Sequence, residues 1–187
     1  HWDTPDLTRL LTLLAMNQPA LECAFYGRRA ATWLLRVRHW LNANTRRQAR
    51  KNIVAHYDLG NDFYRLWLAE TMTYSSALFD GDPGRTLPLA QQAKYERILA
   101  ELALPAGAHI LEIGCGWGGF AERAAADNHN VTGLTISPAQ HKFAAARLNG
   151  AADIRLEDYR RSKGSFDNIV SIEMFEAVGE RFWPAYF

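Results

Sequence analysis

The run from Leu111 to Phe120, LEIGCGWGGF, holds the residues of this chain whose types and spacing are best suited to chemistry. An apolar segment at 108–113 leads into closely spaced glycines, and a stretch of small residues at 120–126 follows. This order predicts a strand, a tight turn and a helix, the arrangement that binds phosphates or nucleosides at the edge of a doubly wound sheet. Glycine suits such a turn because the backbone needs φ values that side chains oppose, and because a ligand must approach the main chain.

The spacing of this turn separates two kinds of ligand. An acid, Glu112, precedes the first glycine, and the pattern is G-x-G-x-G rather than the G-x-G-x-x-G of dinucleotide sites. It resembles the first motif of S-adenosylmethionine-dependent methyltransferases. We therefore expect Gly114 and Gly116 to let the backbone approach the amino-acid and sugar parts of that cofactor.

The composition is that of an ordinary globular protein, with 48% hydrophobic residues, 22% charged residues and a net charge of +1 over 187 residues. That length allows one domain and part of a second. No apolar run approaches the ~18 residues that a membrane span needs. Cys23 and Cys115 lie far apart, which argues against a disulfide framework and favours a reduced, cytoplasmic setting. The chain starts at His1 without an initiating Met and ends at Phe187 in mid-pattern, so we interpret it as a fragment.

The elements that must position the glycine turn follow from periodicity and turn residues. Thr4-Pro5-Asp6 is typical of a helix start with Thr4 as the cap, and leucines at helical spacing follow. Further helices are predicted over about 28–41, 89–102, 120–126 and 138–148, and strands over 108–113, 130–134, 154–156 and 168–173. Strands that alternate with helices predict an α/β, doubly wound, Rossmann-like sheet, incomplete at the C-terminus and preceded by a helical segment. We place a helical, basic segment at 1–50 and the N-terminal part of a methyltransferase domain at 51–187.

The charge is unevenly distributed. Between Cys23 and Tyr57 there is no acid, whereas the basic residues are Arg28, Arg29, Arg36, Arg38, Arg46, Arg47, Arg50 and Lys51. The helix predicted at 28–41 is amphipathic with a basic face. Most amphipathic helices pack against their own protein and leave their charged face to solvent, and this is the favoured interpretation. The alternative is that the helix lies on an anionic membrane surface. The two interpretations are compatible.

Five motifs occur in order over 52–187: HYDLGNDFYRLWL, TYSSALF, LEIGCGWGGFA, GLTISPAQ and SIEMFEAVG. Together they resemble the cyclopropane-fatty-acid synthase family, which includes the mycolic-acid cyclopropane synthases, and 2–21 resembles the preceding segment of the longer bacterial, phospholipid-acting members. The resemblance implies a class I methyltransferase that methylenates the cis double bond of unsaturated acyl chains in membrane phospholipids. Two alternatives stay open: a fatty-acid methyltransferase that leaves a methyl or methylene branch, and a lipid-surface module that binds the cofactor without turnover.

The resemblance also implies which residues hold S-adenosylmethionine. Many methyltransferases end the second strand with an acid that binds the ribose, but this chain has Gly133-Leu134-Thr135 there, as the cyclopropane synthases do. Tyr159 would lie beside the adenine, with a surface turn residue as the alternative. The implied cofactor-binding residues are Tyr74, Ser75, Gly114, Gly116, Leu134, Thr135, Gln140 and Tyr159.

Two further residues are implied in catalysis. Glu176 follows the fourth strand among apolar neighbours, where a carboxylate is costly unless it is paired or used. By resemblance it helps to hold a bound bicarbonate, with a solvated acid at a helix start as the alternative and Glu173 as the less favoured partner. Ser76 stands where many members have a cysteine, and its hydroxyl can donate a hydrogen bond to the same anion.

The chemistry explains why a bound anion is expected. Methyl transfer to a double bond leaves a carbocation, a base must then remove a proton before the ring closes, and water must be kept away. Aromatic side chains suit such a site because they exclude water and stabilise cations, and at least half of those near 57–79 are expected to fill a core instead. His56 and Asp58 lack a third clustered ligand, so no metal is expected.

The expected partners follow from the same resemblance. They are unsaturated phospholipid acyl chains and an anionic membrane surface, with the protein cytoplasmic and peripheral to the inner face of the membrane. A homodimer is also compatible with the resemblance. The basic segment contains aromatics, which allows nucleic-acid binding, but the lipid interpretation is favoured and no nucleic acid is expected.

Overall fold

The computed structural model of the chain describes residues 5–18 and 60–186. The chain divides into two compact units, His1–Ala43 and Asn44–Phe187. The domain boundary predicted after residue 50, the basic helix at 28–41, His56 and Asp58 all lie outside the described residues, so they stay predictions.

In the first unit, helix α1 covers Leu7–Met16. Its cap is Asp6 rather than the predicted Thr4, because the Asp6 carboxylate accepts a hydrogen bond from the backbone N–H of Arg9 at 2.9 Å. The helix therefore starts two residues after the position that the proline suggested.

The second unit is built on four parallel strands. They are β1 (His109–Ile113), β2 (Asn130–Thr135), β3 (Asp153–Leu156) and β4 (Asn168–Val170), in the order β3-β2-β1-β4. The helices are α2 (Gly60–Arg65), α3 (Leu87–Leu102), α4 (Gly119–Ala126) and α5 (Pro138–Leu148), and short 3₁₀ turns cover Tyr159–Arg161, Phe175–Ala177 and Glu180–Ala185. The predicted doubly wound α/β class is confirmed. Strand β4 is shorter than predicted, because the chain turns at Glu173, whose φ of +48° is left-handed.

Strand β1 lies at the centre of the sheet and packs on both faces. Alternate residues of a strand point to opposite faces, so Ile110 joins one core and Leu111 with Ile113 joins the other. The first core includes Phe120 of α4, which is 1% exposed. Burying one such side chain stabilises the fold by about 1.5–3 kcal/mol. This packing holds α4 against β1, and the glycine turn lies between them.

Local signals set the helix that follows β2. Ser137 caps α5 by accepting from the backbone N–H of Gln140 at 3.3 Å, and Pro138 occupies its first turn. The helix ends at Asn149 in a left-handed conformation. Within residues 5–18 and 60–186, no helix combines the length and apolar character that crossing a membrane requires.

Candidate functional site

A cavity of about 720 Å³ opens at the carboxyl edge of the sheet. Its wall combines the ends of β1 and β2, the loops that follow β3 and β4, and the upstream segment 67–79. The chain moves from β1 to β2 and β3 on one side and then to β4 on the other, so the cavity lies at a topological switch point. Ligands of open α/β sheets bind at such points.

The glycine turn forms one side of this cavity. Gly114 has φ +81°, and a Cβ added there would lie 2.9 Å from Cγ of Met174. The backbone N–H groups of Gly114 and Cys115 both donate to the carbonyl of Leu134 at 2.9 Å, which ties the turn to the end of β2. Gly116 also has a left-handed φ, +54°, but it does not line the cavity. Gly114 is therefore the glycine that faces the cavity, and Gly116 shapes the turn behind it.

Glu112, the acid before the first glycine, is buried beneath the turn and is 3% exposed. It accepts a hydrogen bond from the backbone N–H of Ala121 in the first turn of α4. Its Oε2 has no hydrogen-bond partner among the described residues. Burial raises the pKa of Glu112 to about 8, and the Ala121 hydrogen bond opposes that rise. The acid is thus neutral over much of the physiological range and connects β1 to α4.

The end of β2 holds a neutral hydrogen-bonded chain where many methyltransferases have an acid. The Thr135 hydroxyl donates to Oε1 of Gln140 at 2.9 Å, and it accepts from the backbone N–H of Ser137 at 3.2 Å. Thr135, Gln140 and Leu134 all line the cavity. Because the Gln140 carbonyl already accepts from Thr135, its amide offers donors to a ligand.

The upstream wall is an aromatic cluster packed on the glycine turn. Tyr64 lies 5.0 Å from Trp117 and 5.8 Å from Tyr74 between ring centroids, and Trp67 lies 5.4 Å from Tyr74. Tyr64 and Trp117 are buried, whereas Trp67 and Tyr74 are about half exposed and line the cavity. Trp117 also donates through Nε1 to Oδ1 of Asn61 at 2.8 Å. The described part of the HYDLGNDFYRLWL motif is thereby fixed to the turn.

Gln91 of α3 holds this wall in place. Its side chain is 3% exposed, and its Nε2 donates to the carbonyls of Thr73 at 3.1 Å and Ser75 at 3.2 Å. Sequence reasoning missed Gln91. The available signal was a glutamine on the helix face that also carries the buried Tyr95 and Leu99.

Tyr159 lies in the turn after β3 and lines the cavity. Asp158 caps this turn by accepting from the backbone N–H of Arg160 at 3.0 Å, and the two side chains form an ion pair at 2.5 Å. The Tyr159 ring packs edge-on against Tyr186 with centroids 5.2 Å apart. These contacts orient the Tyr159 ring, and its place beside an adenine stays a prediction.

The two glutamates after β4 are placed differently from the expectation. Glu176 is exposed in the 3₁₀ turn Phe175–Ala177 and does not line the cavity. Glu173 lines it instead, and its Oε1 accepts from the backbone N–H of Ser76 at 2.8 Å and from the Ser76 hydroxyl at 2.5 Å. The geometry therefore unites Ser76 with Glu173, the less favoured partner, while the catalytic roles of Ser76 and Glu176 stay predictions.

Lys94 of α3 was also missed by sequence reasoning. Its Nζ donates to the hydroxyl of Ser75 and, at 2.7 Å, to the carbonyl of Ser76. Burial lowers the pKa of Lys94, and the charge of Glu173 opposes that effect. In 5–18 and 60–186, no group of three or more histidines, cysteines or acids is arranged to hold a metal.

A parallel sheet with a glycine turn, the neutral Thr135–Gln140 pair and a cavity at the switch point defines a class I methyltransferase fold. A family model described as mycolic acid cyclopropane synthetase matches residues 44–187. The chain belongs to this family.

Three known proteins show how far the similarity extends. Tuberculostearic acid methyltransferase UfaA1 of Mycobacterium tuberculosis is 39% identical over 100% of this chain and 46% of its own length. Cyclopropane-fatty-acyl-phospholipid synthase of Escherichia coli is 45% identical over 71% of this chain and 35% of its own length. The crystal structure of mycolic acid cyclopropane synthase CmaA1 complexed with SAH and CTAB is 37% identical, with a TM-score of 0.70 over 73% of this chain and 50% of that chain. The chain thus spans about half, or less, of the length of these relatives.

Proposed function

We propose that this chain forms the cofactor-binding part of an S-adenosylmethionine-dependent enzyme that methylenates the cis double bond of unsaturated acyl chains in membrane phospholipids. One observation carries the proposal: a single cavity of about 720 Å³ joins the glycine turn and the Thr135–Gln140 pair to an aromatic and aliphatic mouth. Such a cavity suits a polar cofactor at one end and an apolar chain at the other. The similarity to the cyclopropane-fatty-acyl-phospholipid synthase supports this substrate class.

The residues present fit S-adenosylmethionine. Gly114 places a backbone without a side chain at the cavity wall, and a Cβ there would overlap Met174, which lines the same cavity. The predicted binding residues that line the cavity are Tyr74, Ser75, Gly114, Leu134, Thr135, Gln140 and Tyr159. Tyr74 and Ser75 would hold the methionine end, Thr135 and Gln140 the ribose, and Tyr159 the adenine. Gly116 would contribute through the shape of the turn.

When bound, S-adenosylmethionine would supply an electrophilic methyl group. The side chains of this chain would exclude water from the reacting carbons and stabilise positive charge with their ring faces. Trp67, Tyr74 and Phe79 are the aromatic residues of the upstream segment that line the cavity, and Leu87 extends the same surface. Among the described aromatics of this segment, Tyr64 is buried in the core, whereas Phe63, Trp67, Tyr74 and Phe79 are 39–50% exposed, so fewer fill a core than the half that the sequence predicts.

The bicarbonate implied by the resemblance does not fit the residues as they are arranged. Its expected donors, the N–H and hydroxyl of Ser76, already donate to the Glu173 carboxylate. Its other expected partner, Glu176, is exposed outside the cavity lining. No step of the proposed chemistry is therefore assigned to a bound bicarbonate.

A fatty-acid methyltransferase that leaves a methyl or methylene branch is the second candidate. The observation that favours it is the extent of the match, because UfaA1 matches the whole chain while the E. coli cyclopropane synthase matches 71%. A third outcome is a lipid-surface module that binds the cofactor without turnover.

Calorimetry with S-adenosylhomocysteine, beside a turnover assay on unsaturated phospholipid, tests the proposal. We expect saturable binding of S-adenosylhomocysteine to this chain. From the enzyme of which the chain forms the cofactor-binding part, we expect a product with high-field cyclopropane signals in its proton NMR spectrum. A branched product supports the methyltransferase, and binding without product supports the non-catalytic module. Absence of binding contradicts all three.

We also propose that the basic segment brings the protein, as a cytoplasmic peripheral protein, to the inner face of a bacterial membrane. Liposome binding should weaken as salt rises and after Arg29→Glu with Arg36→Glu, because each basic residue near an anionic surface contributes about 1 kcal/mol. Arg97→Glu, an exposed charge on α3, is the matched control. Binding that is insensitive to salt and to the double variant contradicts this role. A homodimer, if formed, would show as twice the monomer mass in light scattering.

A further inference from the structure

The carboxylate of Glu173 occupies a place where two strong donors converge. Its Oε1 accepts from the backbone N–H and from the hydroxyl of Ser76, at 2.8 and 2.5 Å, and both residues line the cavity. Hydrogen bonds to an ionised carboxylate are about twice as strong as those between neutral groups. The Ser76 main chain and side chain therefore form an oxyanion-binding pair, and an internal carboxylate fills it.

Lys94 adds a positive charge beside Ser76 and Glu173. Its ammonium group donates to the carbonyl of Ser76 at 2.7 Å, and its positive charge acts on Glu173. Burial acts to raise the pKa of Glu173, but the Ser76 hydrogen bonds and the charge of Lys94 outweigh it and hold the pKa below its usual value. Glu173 therefore keeps its charge to a lower pH than an ordinary glutamate does.

The backbone conformation at Glu173 places its carboxylate near Ser76. Glu173 has φ +48°, in the left-handed region that residues with a Cβ adopt at a cost. The next residue, Met174, packs so closely on Gly114 that a Cβ there would lie 2.9 Å from its Cγ. The turn after β4 is thus held between the glycine turn and Ser76, and its strained residue is the one whose side chain reaches Ser76.

We propose that Glu173 is the built-in anion of this site, occupying the donors that a bound bicarbonate would require, so that the protein does not take up bicarbonate. An external anion would have to displace Glu173 from Ser76 and tolerate its charge nearby. The inference rests on the proposed function only in assuming that the cavity is the reaction site. The proposed exclusion of bicarbonate depends on the glutamate at position 173 of this chain.

Carbon-13 NMR of labelled bicarbonate, titrated with the whole chain, tests the inference. We expect no saturable broadening with the unsubstituted protein. Glu173→Ala vacates the Ser76 donors and should bind bicarbonate at least about tenfold more tightly than the unsubstituted chain, as expected when charge-assisted hydrogen bonds become available. Glu173→Gln keeps an acceptor of the same shape on Ser76 and should gain much less. Because Glu173→Gln removes the negative charge that repels an external anion, its smaller gain still tests the inference if Glu173→Ala folds poorly.

Glu176→Gln is the matched control, because it removes a carboxylate three residues away that lies outside the cavity lining. It should leave bicarbonate binding unchanged. The inference is overturned if the unsubstituted chain binds bicarbonate and Glu176→Gln weakens that binding, or if Glu173→Ala gains none. Calorimetry with S-adenosylhomocysteine on the same samples keeps this result separate from the proposed function: cofactor binding without the bicarbonate pattern rejects the inference alone.

Discussion

The two sides of the cavity are built in different ways. The turn side, formed by β1, α4 and the end of β2, is fixed by backbone geometry and burial, with Glu112, Thr135 and Gln140 each 5% exposed or less. The wall side, formed by the upstream segment and the turn after β4, is held by hydrogen bonds and charges on exposed residues such as Ser76 and Glu173. A rigid, buried turn side is what we expect for binding a cofactor that many enzymes share. Because the wall side depends on a few polar contacts, a single substitution there can change which groups face the cavity.

The largest effect is expected for Gly114→Ala on the turn side. The added Cβ meets Met174 at 2.9 Å and the residue is held at φ +81°, so we expect a loss of about 3 kcal/mol in the free energy of unfolding. Affinity for S-adenosylhomocysteine should fall about 100-fold or more, since the overlap lies in the cavity wall. Urea unfolding and calorimetry measure the two effects.

Gly150→Ala is the control that separates the cost of a left-handed backbone from the cost of the contact with Met174. Gly150 has φ +87°, but nothing lies within 4 Å of an added Cβ there. We expect a loss of about 1 kcal/mol and unchanged cofactor affinity. Equal losses for the two variants would mean that the contact with Met174 does not matter.

The second effect concerns the pH dependence contributed by Glu112. Because its pKa is about 8 in the folded protein and 4.5 ordinarily, the folded state binds the extra proton between these values. Its contribution to stability is fully present below about pH 4.5 and is lost as the pH rises through 8. Glu112→Gln should therefore stabilise the protein by roughly 3 kcal/mol more at pH 9 than at pH 6. Urea unfolding of both proteins at the two pH values measures the difference.

An exposed acid provides the control for this measurement. Glu101 on α3 is 66% exposed and pairs with Arg97, so Glu101→Gln removes a carboxylate without changing the interior. We expect the same small effect at both pH values. A Glu112→Gln effect that is likewise independent of pH would show that Glu112 is ionised in the folded protein.

The turn side could be predicted from sequence because its signals are local. The glycines at 114–118, the caps at Ser137 and Asn149 and the alternation of strands with helices all act within a few residues. The meeting of Thr135 with Gln140 also follows from a five-residue separation. These features depend on backbone preferences that each segment carries by itself.

The wall side could not be predicted in the same way. Ser76 and Glu173 lie 97 residues apart in sequence, and Trp117 and Asn61 lie 56 apart. No periodicity encodes such pairs, because they form only after the sheet brings its edges together. The choice of Glu173 over Glu176 depends on a left-handed residue and a 3₁₀ turn, both of which the apolar pattern around them predicts poorly.

The third effect tests whether buried hydrogen bonds also hold the wall. Gln91→Ala removes the donors to Thr73 and Ser75 and leaves a gap inside the protein, so we expect a loss of about 2 kcal/mol in unfolding free energy. Cofactor affinity should fall about tenfold as segment 73–75 loosens. Gln92→Ala changes the next residue, which is exposed and bonds only to Glu96 in the described structure, and should cost less than about 0.5 kcal/mol. Thermal unfolding and calorimetry distinguish the two.

The smallest effect compares the same substitution on both sides. Ser137→Ala removes the cap of α5 from a residue that is 1% exposed, and we expect it to cost about 1 kcal/mol. Ser76→Ala removes an exposed hydroxyl from Glu173 while its backbone N–H remains, so the loss should stay below about 0.5 kcal/mol. Urea unfolding of the two variants at neutral pH provides the measurement. If Ser76→Ala cost as much as Ser137→Ala, the turn after β4 would be part of the cooperative core, and the wall would be as firmly built as the glycine turn that it faces.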